Sequence, residues 1–442
     1  MWLISNMAIS IFSRYKETIQ NKLSLDDKTI DTLEGEFDCS RQLSFIHKHV
    51  FWFYLILSIV SNLIYKAWGV KSSLSKKDYD FLFFSCPDVF FRTKNITQIA
   101  DGLNYCLIYL PNMHIKAALN YFSFFKNKKI PTVFPAIYVK DVLEARRLFQ
   151  EISKSIGDKK DSDYLRLKYT VFIYILYDRV ACRILSDIGG FGGKCIMEHQ
   201  KFYFMPVVAN LRKNGINTTM MQHGLFYTPV FDYVPLFCDN VLCCSEREKA
   251  IYIENGTDEQ KVTVFGAPLQ TLSSEILESS TRTKYSLLLL MTEIFDDNLD
   301  ITREILNYIK GNYSGVLVRM RPRSRKEDIK RLGNALSGLT VSSTKSSLVN
   351  DINDAAKVVS FSVDANVEVA KQHKPLVYVW TEGKEEDVRD TKFATRHNYK
   401  EEIYKLMSEE FYSTFSEEQY KMILGETDIN VLRQKFVHYI KD

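Results

Sequence analysis

The sequence predicts an α/β protein: two parallel-sheet domains facing each other across a cleft, with a helical extension before them and helices after them. Three observations predict it. Short apolar runs recur along the chain, apolar at successive positions, as in strands buried on both faces of a parallel sheet. Stretches of helical spacing separate these runs, the alternation that a parallel sheet and its crossover helices require. The runs also stop on small or polar residues, as at Gln222-His223-Gly224, Cys244-Ser245 and Gly266-Ala267-Pro268. Ligands of open α/β sheets sit at such carboxyl ends.

Length and composition agree. A chain of 442 residues exceeds one ordinary core and implies two or three domains. Hydrophobic residues at 46% and charged residues at 25% are those of a folded globular protein. The net charge of +4 is too small to argue for nucleic acid, and no nucleic-acid-binding motif is present. The 8 cysteines have no metal-ligand spacing, so thiols in a reducing cytoplasm are expected. The amino terminus lacks the basic start of a secretory signal.

In order along the chain, residues 1–78 form the helical extension. Its most apolar stretch, Val50 to Tyr65, is shorter than the roughly 20 residues of a spanning helix. Ser58, Ser61, Asn62 and Tyr65 fall on one stripe of it, so it reads as a buried or interfacial helix, with a membrane span as the alternative. Lys66, Lys71, Lys76 and Lys77 follow, suiting either an anionic leaflet or a solvated linker.

The first sheet domain spans 79–270. Its strands are expected at Asp80–Ser85, Asn104–Leu110, Thr132–Phe134, Lys194–Met197, Gly215–Met221, Asn240–Cys244 and Lys261–Phe265. Helices are expected at Lys140–Ser155, Tyr164–Ser186 and Tyr203–Asn214. Ile115 to Lys129 has aromatics beside lysines, the pattern of a core helix with a solvated end or of a membrane-docking one. The second sheet domain spans 271–385, with strands at Tyr285–Met291, Gly315–Met320, Leu339–Ser342, Lys357–Ser362 and Lys374–Trp380. Residues 386–442 read as charged helices without strands.

Two such domains carrying Gln222-His223-Gly224, then a strand ending in Ser245, then Gly266-Ala267-Pro268, resemble GT-B glycosyltransferases with Rossmann-like lobes. More narrowly they resemble bacterial surface-polysaccharide transferases, the capsule and lipopolysaccharide group with Kdo, sialic-acid and polyglycerol-phosphate enzymes. That group has a basic-Pro motif and a Ser-rich strand-to-helix turn in its second domain. Arg321-Pro322-Arg323 and Ser360-Phe361-Ser362 match these, with an arginine, Arg321, where the pattern carries histidine.

The candidate chemistry follows. His223 can take a proton from an acceptor hydroxyl or, when charged, hydrogen-bond a phosphate. Glu198 and Asp88, at other strand stops, are alternative bases; His199 and Asp232 are weaker ones. Arg319, Arg321 and Arg323 alternate along a strand and its exit and can hold a phosphate through forked hydrogen bonds. Ser360, Ser362 and Asn366 flank a helix start, where capping and anion binding use the same N–H groups. The resemblance assigns Glu368 to the ribose of the donor. Gln222, Gly224, Ser245, Gly266 and Pro268 are expected to shape the cleft.

The resemblance implies a cytoplasmic, inverting glycosyltransferase without cofactor or metal, its substrate a nucleotide sugar: a CMP-linked acid sugar, or a UDP- or GDP-sugar. The acceptor would be a capsule, O-antigen or lipopolysaccharide glycan or glycolipid, at the inner membrane surface. A CDP-alditol phosphotransferase, a nucleotide-sugar epimerase and a non-catalytic scaffold are the alternatives.

Overall fold

A computed structural model describes residues 12, 15–31, 33, 45–67, 79–85, 96–110, 123, 126–154, 162–188, 191–198, 203–222, 236–266, 283–291, 294, 299–321, 325–343, 345–361, 363–380, 396–398 and 425–442. Asp88, His199, His223, Gly224, Asp232, Pro268, Arg323 and Ser362 lie outside them, as does most of 115–129.

Thirteen described strands form two all-parallel sheets. The first holds β1 (Phe81–Ser85), β2 (Tyr105–Tyr109), β3 (Thr132–Val133), β4 (Lys194–Met197), β5 (Thr218–Met221), β6 (Asn240–Cys243) and β7 (Val262–Val264). Their spatial order is β3-β2-β1-β4-β5-β6-β7. The chain therefore builds outward from β1 to β3, then returns to place β4 on the other side of β1. The second sheet holds β8 (Tyr285–Leu290), β9 (Val316–Arg319), β10 (Thr340–Val341), β11 (Ala355–Ser360), β12 (Leu376–Trp380) and β13 (Arg396–Asn398). Its order, β10-β9-β8-β11-β12-β13, repeats the reversal between β8 and β11. Ligands of such sheets bind where the strand order reverses.

The strands are buried on both faces because alternate side chains serve two cores. Leu82 and Phe84 of β1 join one apolar cluster, Phe81 and Phe83 the other. The first cluster is roofed by α1 (Phe45–Ala67), α3 (Val139–Ser153), α4 (Ser162–Asp187) and α5 (Phe204–Lys213). The second is covered by the short α2 (Ile96–Ile99) and, unexpectedly, by the end of the chain. In the second sheet Leu288 and Leu290 face one core while Leu287 and Leu289 face the other. There α7 (Leu299–Asn312) and α8 (Arg325–Leu332) cover the latter, and α9 (Leu348–Asn353) and α10 (Val363–Lys371) the former. The remaining described helices are α6 (Glu246–Glu254) and α11 (Ile429–Lys441).

Two features depart from the sequence reading. Residues 396–398 are a strand, β13, paired in parallel with β12. Its sequence, Arg-His-Asn, has no apolar residue, so no hydrophobic pattern announces it. The tail is also not an appendage. Asp428 caps α11, accepting from the N–H groups of Asn430 and Val431, and Leu432, Phe436 and Ile440 point into the first sheet's second core. The Phe436 ring meets Phe81 edge-on at 5.2 Å. Gly425 and Gly266 allow this return. Both have positive φ, +68° and +124°, and a Cβ on either would strike the backbone oxygen of Cys244 or Glu426. The described neighbours of Gly266 include the returning chain, at Glu426 and Leu432.

Among the described residues no helix is long and apolar enough to cross a membrane. None of the six described cysteines forms a disulfide, and burial pushes the Cys243 thiol up to about 12.

Candidate functional site

The reversal in the first sheet lies between β1 and β4, and polar residues sit at its carboxyl edge. Ser85 ends β1 and Glu198 follows β4; the Ser85 hydroxyl donates to Glu198 Oε1 at 3.0 Å, and both side chains are fully buried. The backbone N–H of Glu198 bonds to Phe84 O, extending the ladder one residue past the strand. A buried carboxylate needs such donors, since leaving it unpaired would cost several kcal/mol, on the order of a lost ion hydrogen bond or more. Ser85 escaped the sequence reading because it looks like the last residue of an apolar strand. The signal was there: one hydroxyl at the stop of an otherwise apolar run.

One strand further, Gln222 continues β5, its N–H bonded to Leu242 O. Its side chain is buried and spans to the next unit. Nε2 donates to Glu248 Oε2 at 2.9 Å, and Oε1 accepts from the Cys244 N–H at 3.3 Å. Glu248 is fully buried and also pairs with Arg247 at 2.7 Å. Ser245 caps α6, accepting from the Glu248 N–H. Gln222 and Ser245 are thus scaffold, clamping the edge from which the chain leaves toward His223. Glu248, which the sequence reading missed, is the hub of that clamp; the Ser-x-x-Glu spacing of a capping box marked it.

Cys244, at the same edge, is buried among Leu288, Leu290 and Val358 in the core of the second domain. The carboxyl end of β6 therefore meets the second sheet's helix-covered face.

In the second domain the reversal lies between β8 and β11. Ser360 ends β11, fully buried, and Phe361 N–H bonds to Leu290 O across the reversal. The chain then enters α10, and its fourth residue is Asn366. Asn366 is fully buried, yet among the described residues neither its amide nitrogen nor its amide oxygen has a hydrogen-bond partner. Native proteins rarely leave both atoms of a buried amide unpaired, and such a group is a candidate for a ligand partner. Glu368, half-buried, lies further along the same helix.

The arginine row does not behave as one unit. Arg319 is committed to the protein: Nη1 pairs with Asp351 and donates to Ser346 O at 3.2 Å. Asp351 also accepts from the hydroxyls of Ser342 and Ser346. That buried knot ties β9 and the exit of β10 to α9. Arg321, past the strand end, is exposed.

A surface hollow of about 440 Å³ lies at the opposite, amino edge of the first sheet. Arg212, Asp239, Asp26 and Lys213 line it, and Arg212 pairs with Asp239 at 3.1 Å. Its charges are internally matched, and it is remote from both strand-order reversals.

No family model matches the chain, and no curated protein matches its sequence. Solved structures do share its fold. UDP-N-acetylglucosamine 2-epimerase from Rickettsia bellii superposes with a TM-score of 0.50 at 14% identity, over 82% of this chain and 96% of its own. A glycosyltransferase from Rickettsia africae matches with a TM-score of 0.48 at 11% identity, over 83% of this chain and 98% of its own. A lipopolysaccharide outer core galactosyltransferase, in apo form, gives 0.48 at 10% identity, over 82% and 99%. At such identities the likeness is one of fold: two parallel α/β sheets arranged as in GT-B proteins.

Proposed function

We propose that the protein is a glycosyltransferase of GT-B type that moves a sugar from a nucleotide-activated donor to a bacterial surface-polysaccharide acceptor. The observation that carries the reading is the pairing of two strand-order reversals, each bearing buried polar groups at its carboxyl edge. Glu198 with Ser85 stands at one and Ser360 with Asn366 at the other.

The second domain takes the donor. The first N–H groups of α10 and the helix dipole favour negative charge, Ser360 and Ser362 precede that end in sequence, and Arg321 and Arg323 follow β9. Asn366 offers both a donor and an acceptor to the nucleotide, and Glu368 the ribose contact. The first domain takes the acceptor. His223 or Glu198, with Asp88 as a further candidate, removes the proton from the acceptor hydroxyl. The oxygen attacks the anomeric carbon from the face opposite the departing nucleotide, so the bond to the phosphate oxygen breaks as the new glycosidic bond forms and the configuration inverts. The basic side chains and helix end stabilise the charge on the leaving phosphate, so the step is metal-independent. The donor is a CMP-linked acid sugar or a UDP- or GDP-sugar; the acceptor is a capsule, O-antigen or lipopolysaccharide glycan at the cytoplasmic face of the membrane.

A thermal-shift screen against CMP, CDP, UDP and GDP tests this first, because a ligand of the folded state raises the melting point by mass action. One nucleotide is expected to stand out, and its sugar conjugates are then assayed for transfer. Glu198→Gln keeps the size of the side chain and its contact with Ser85 but cannot accept a proton. It should lower kcat by about 100-fold or more if Glu198 is the base. Full turnover in this variant moves the role to His223. No shift with any nucleotide removes the transferase reading.

A second reading draws on the Rickettsia bellii fold match: a nucleotide-sugar epimerase. It needs no acceptor, so conversion of UDP-N-acetylglucosamine by the protein alone would select it.

A further inference from the structure

Helix α1 is apolar on two sides, one of which buries Val50, Phe51, Tyr54 and Leu57 in the first core. Its hydroxyls also face inward, and a second stripe of large apolar side chains faces out. Ser58 and Ser61 are buried, their hydroxyls returned to the helix's own carbonyls at Leu55 and Leu57 at 2.8 and 2.6 Å. Asn62 reaches across to Ile137 O at 2.8 Å. On the opposite stripe Trp52, Ile56, Ile59, Val60 and Leu63 are exposed, Trp52 at 58%, Ile56 at 61% and Leu63 at 64%. At 100° per residue these five positions fall within about a third of the helix circumference.

The stripe continues onto α3. Arg146 stacks on Phe51 at 4.1 Å near one end of α1, and the Asn62 contact joins the other end to the entry of α3. The two helices thus run antiparallel, side by side. The outer face of α3 adds Val139 and Leu143, the latter 50% exposed. Contiguous apolar surface of this kind on a folded protein marks an interaction site.

The exposed charges around it are mostly basic. Among the described side chains of the two helices, the exposed charged ones are Lys66, Lys140, Arg146 and Arg147. The acids are fewer: Asp141 is buried against Arg183, Glu144 pairs with Arg179, and Glu151 is half-buried. An apolar stripe edged by Trp and by an excess of bases is complementary to an anionic lipid surface, where the apolar residues enter the acyl boundary and the bases meet headgroup phosphates.

We infer that the paired outer faces of α1 and α3 dock flat on an anionic bilayer, with Trp52, Ile56, Leu63 and Leu143 inserted and Lys66, Lys140 and Arg147 in the headgroup layer. The inference deepens the transferase reading by naming the surface that brings the first domain to a lipid-borne acceptor. It is tested without any transfer assay, so either can fail alone.

The experiment is flotation of the full chain with vesicles of phosphatidylcholine alone, or of phosphatidylcholine with about a third phosphatidylglycerol. The chain should float with the anionic vesicles and stay behind with the neutral ones. Ile56→Asp with Leu63→Asp should weaken flotation at least about tenfold, since two apolar anchors are lost and two charges meet the lipid. Lys66→Glu with Arg147→Glu should do the same through charge alone. All four side chains are exposed, so the variants should melt with the parent chain. Failure of the parent chain to float, equal flotation with neutral vesicles, or unchanged flotation of either variant overturns the inference. So does a parent dimer that Ile56→Asp with Leu63→Asp converts to monomer, because the face is then an interface between copies.

Discussion

Asn366 and Arg319 show how differently two predicted donor residues can be employed. Asn366 has a fully buried amide with no partner among the described residues, so the folded chain carries its desolvation cost without return. Asn366→Ala should leave the melting point of the ligand-free protein within a few degrees, or raise it, because the cost disappears along with the group. The same change should weaken nucleotide binding by about tenfold, the value of one or two hydrogen bonds. Calorimetry beside a melting curve checks both; a purely structural Asn would lose stability and keep affinity. Arg319 is the reverse case. Its partner Asp351 is buried, so Arg319→Ala strands a carboxylate and should cost about 3 kcal/mol in urea unfolding. Arg321→Ala, at an exposed position, should leave stability within about 0.5 kcal/mol and lower nucleotide affinity. The sequence placed the two arginines on one row, two residues apart. It could not show that one faces a carboxylate three elements away.

At the scale of elements, the apolar runs located the strands well because burial on both faces leaves a continuous hydrophobic signature, as in Leu287 to Leu290. β13 was missed for the complementary reason: an edge strand of polar residues contributes backbone hydrogen bonds and little else. The crossing of the chain at Gly266 and Gly425 was equally silent. Gly425 combines a left-handed backbone with a place where a Cβ would strike Cys244 O. Gly425→Ala should therefore destabilise by at least about 2 kcal/mol, from backbone strain plus displacement of the β6 end. Gly311→Ala, a helical position with open space at its Cβ, is the control and should be neutral or stabilising. Equal melting points for the two variants would mean that the crossing is looser than drawn.

For the whole molecule, the return of α11 makes the first domain discontinuous in sequence: residues 79–266 and 428–442 share one core. Phe436 is fully buried against Phe81 and Phe265, so Phe436→Ala should cost about 3–5 kcal/mol. That is a large part of a typical domain's stability, so the variant's first unfolding transition should move to clearly lower urea. Nucleotide should still protect the second domain, whose core contains no residue of α11. Taken by itself, the sequence determined the fold class, the number of parallel sheets and the strand stops at which the candidate groups stand. These are local facts, written in runs of apolar residues and their punctuation. Only the tertiary structure decided the order of the strands, and with it that Ser85 meets Glu198 and that Asn366 goes unpaired among the described residues. It alone decided that Arg319 is consumed by Asp351 and that α1 turns a second apolar stripe outward. Those depend on which distant segments come together, and hydrophobic pattern specifies that a face is apolar without specifying what will cover it.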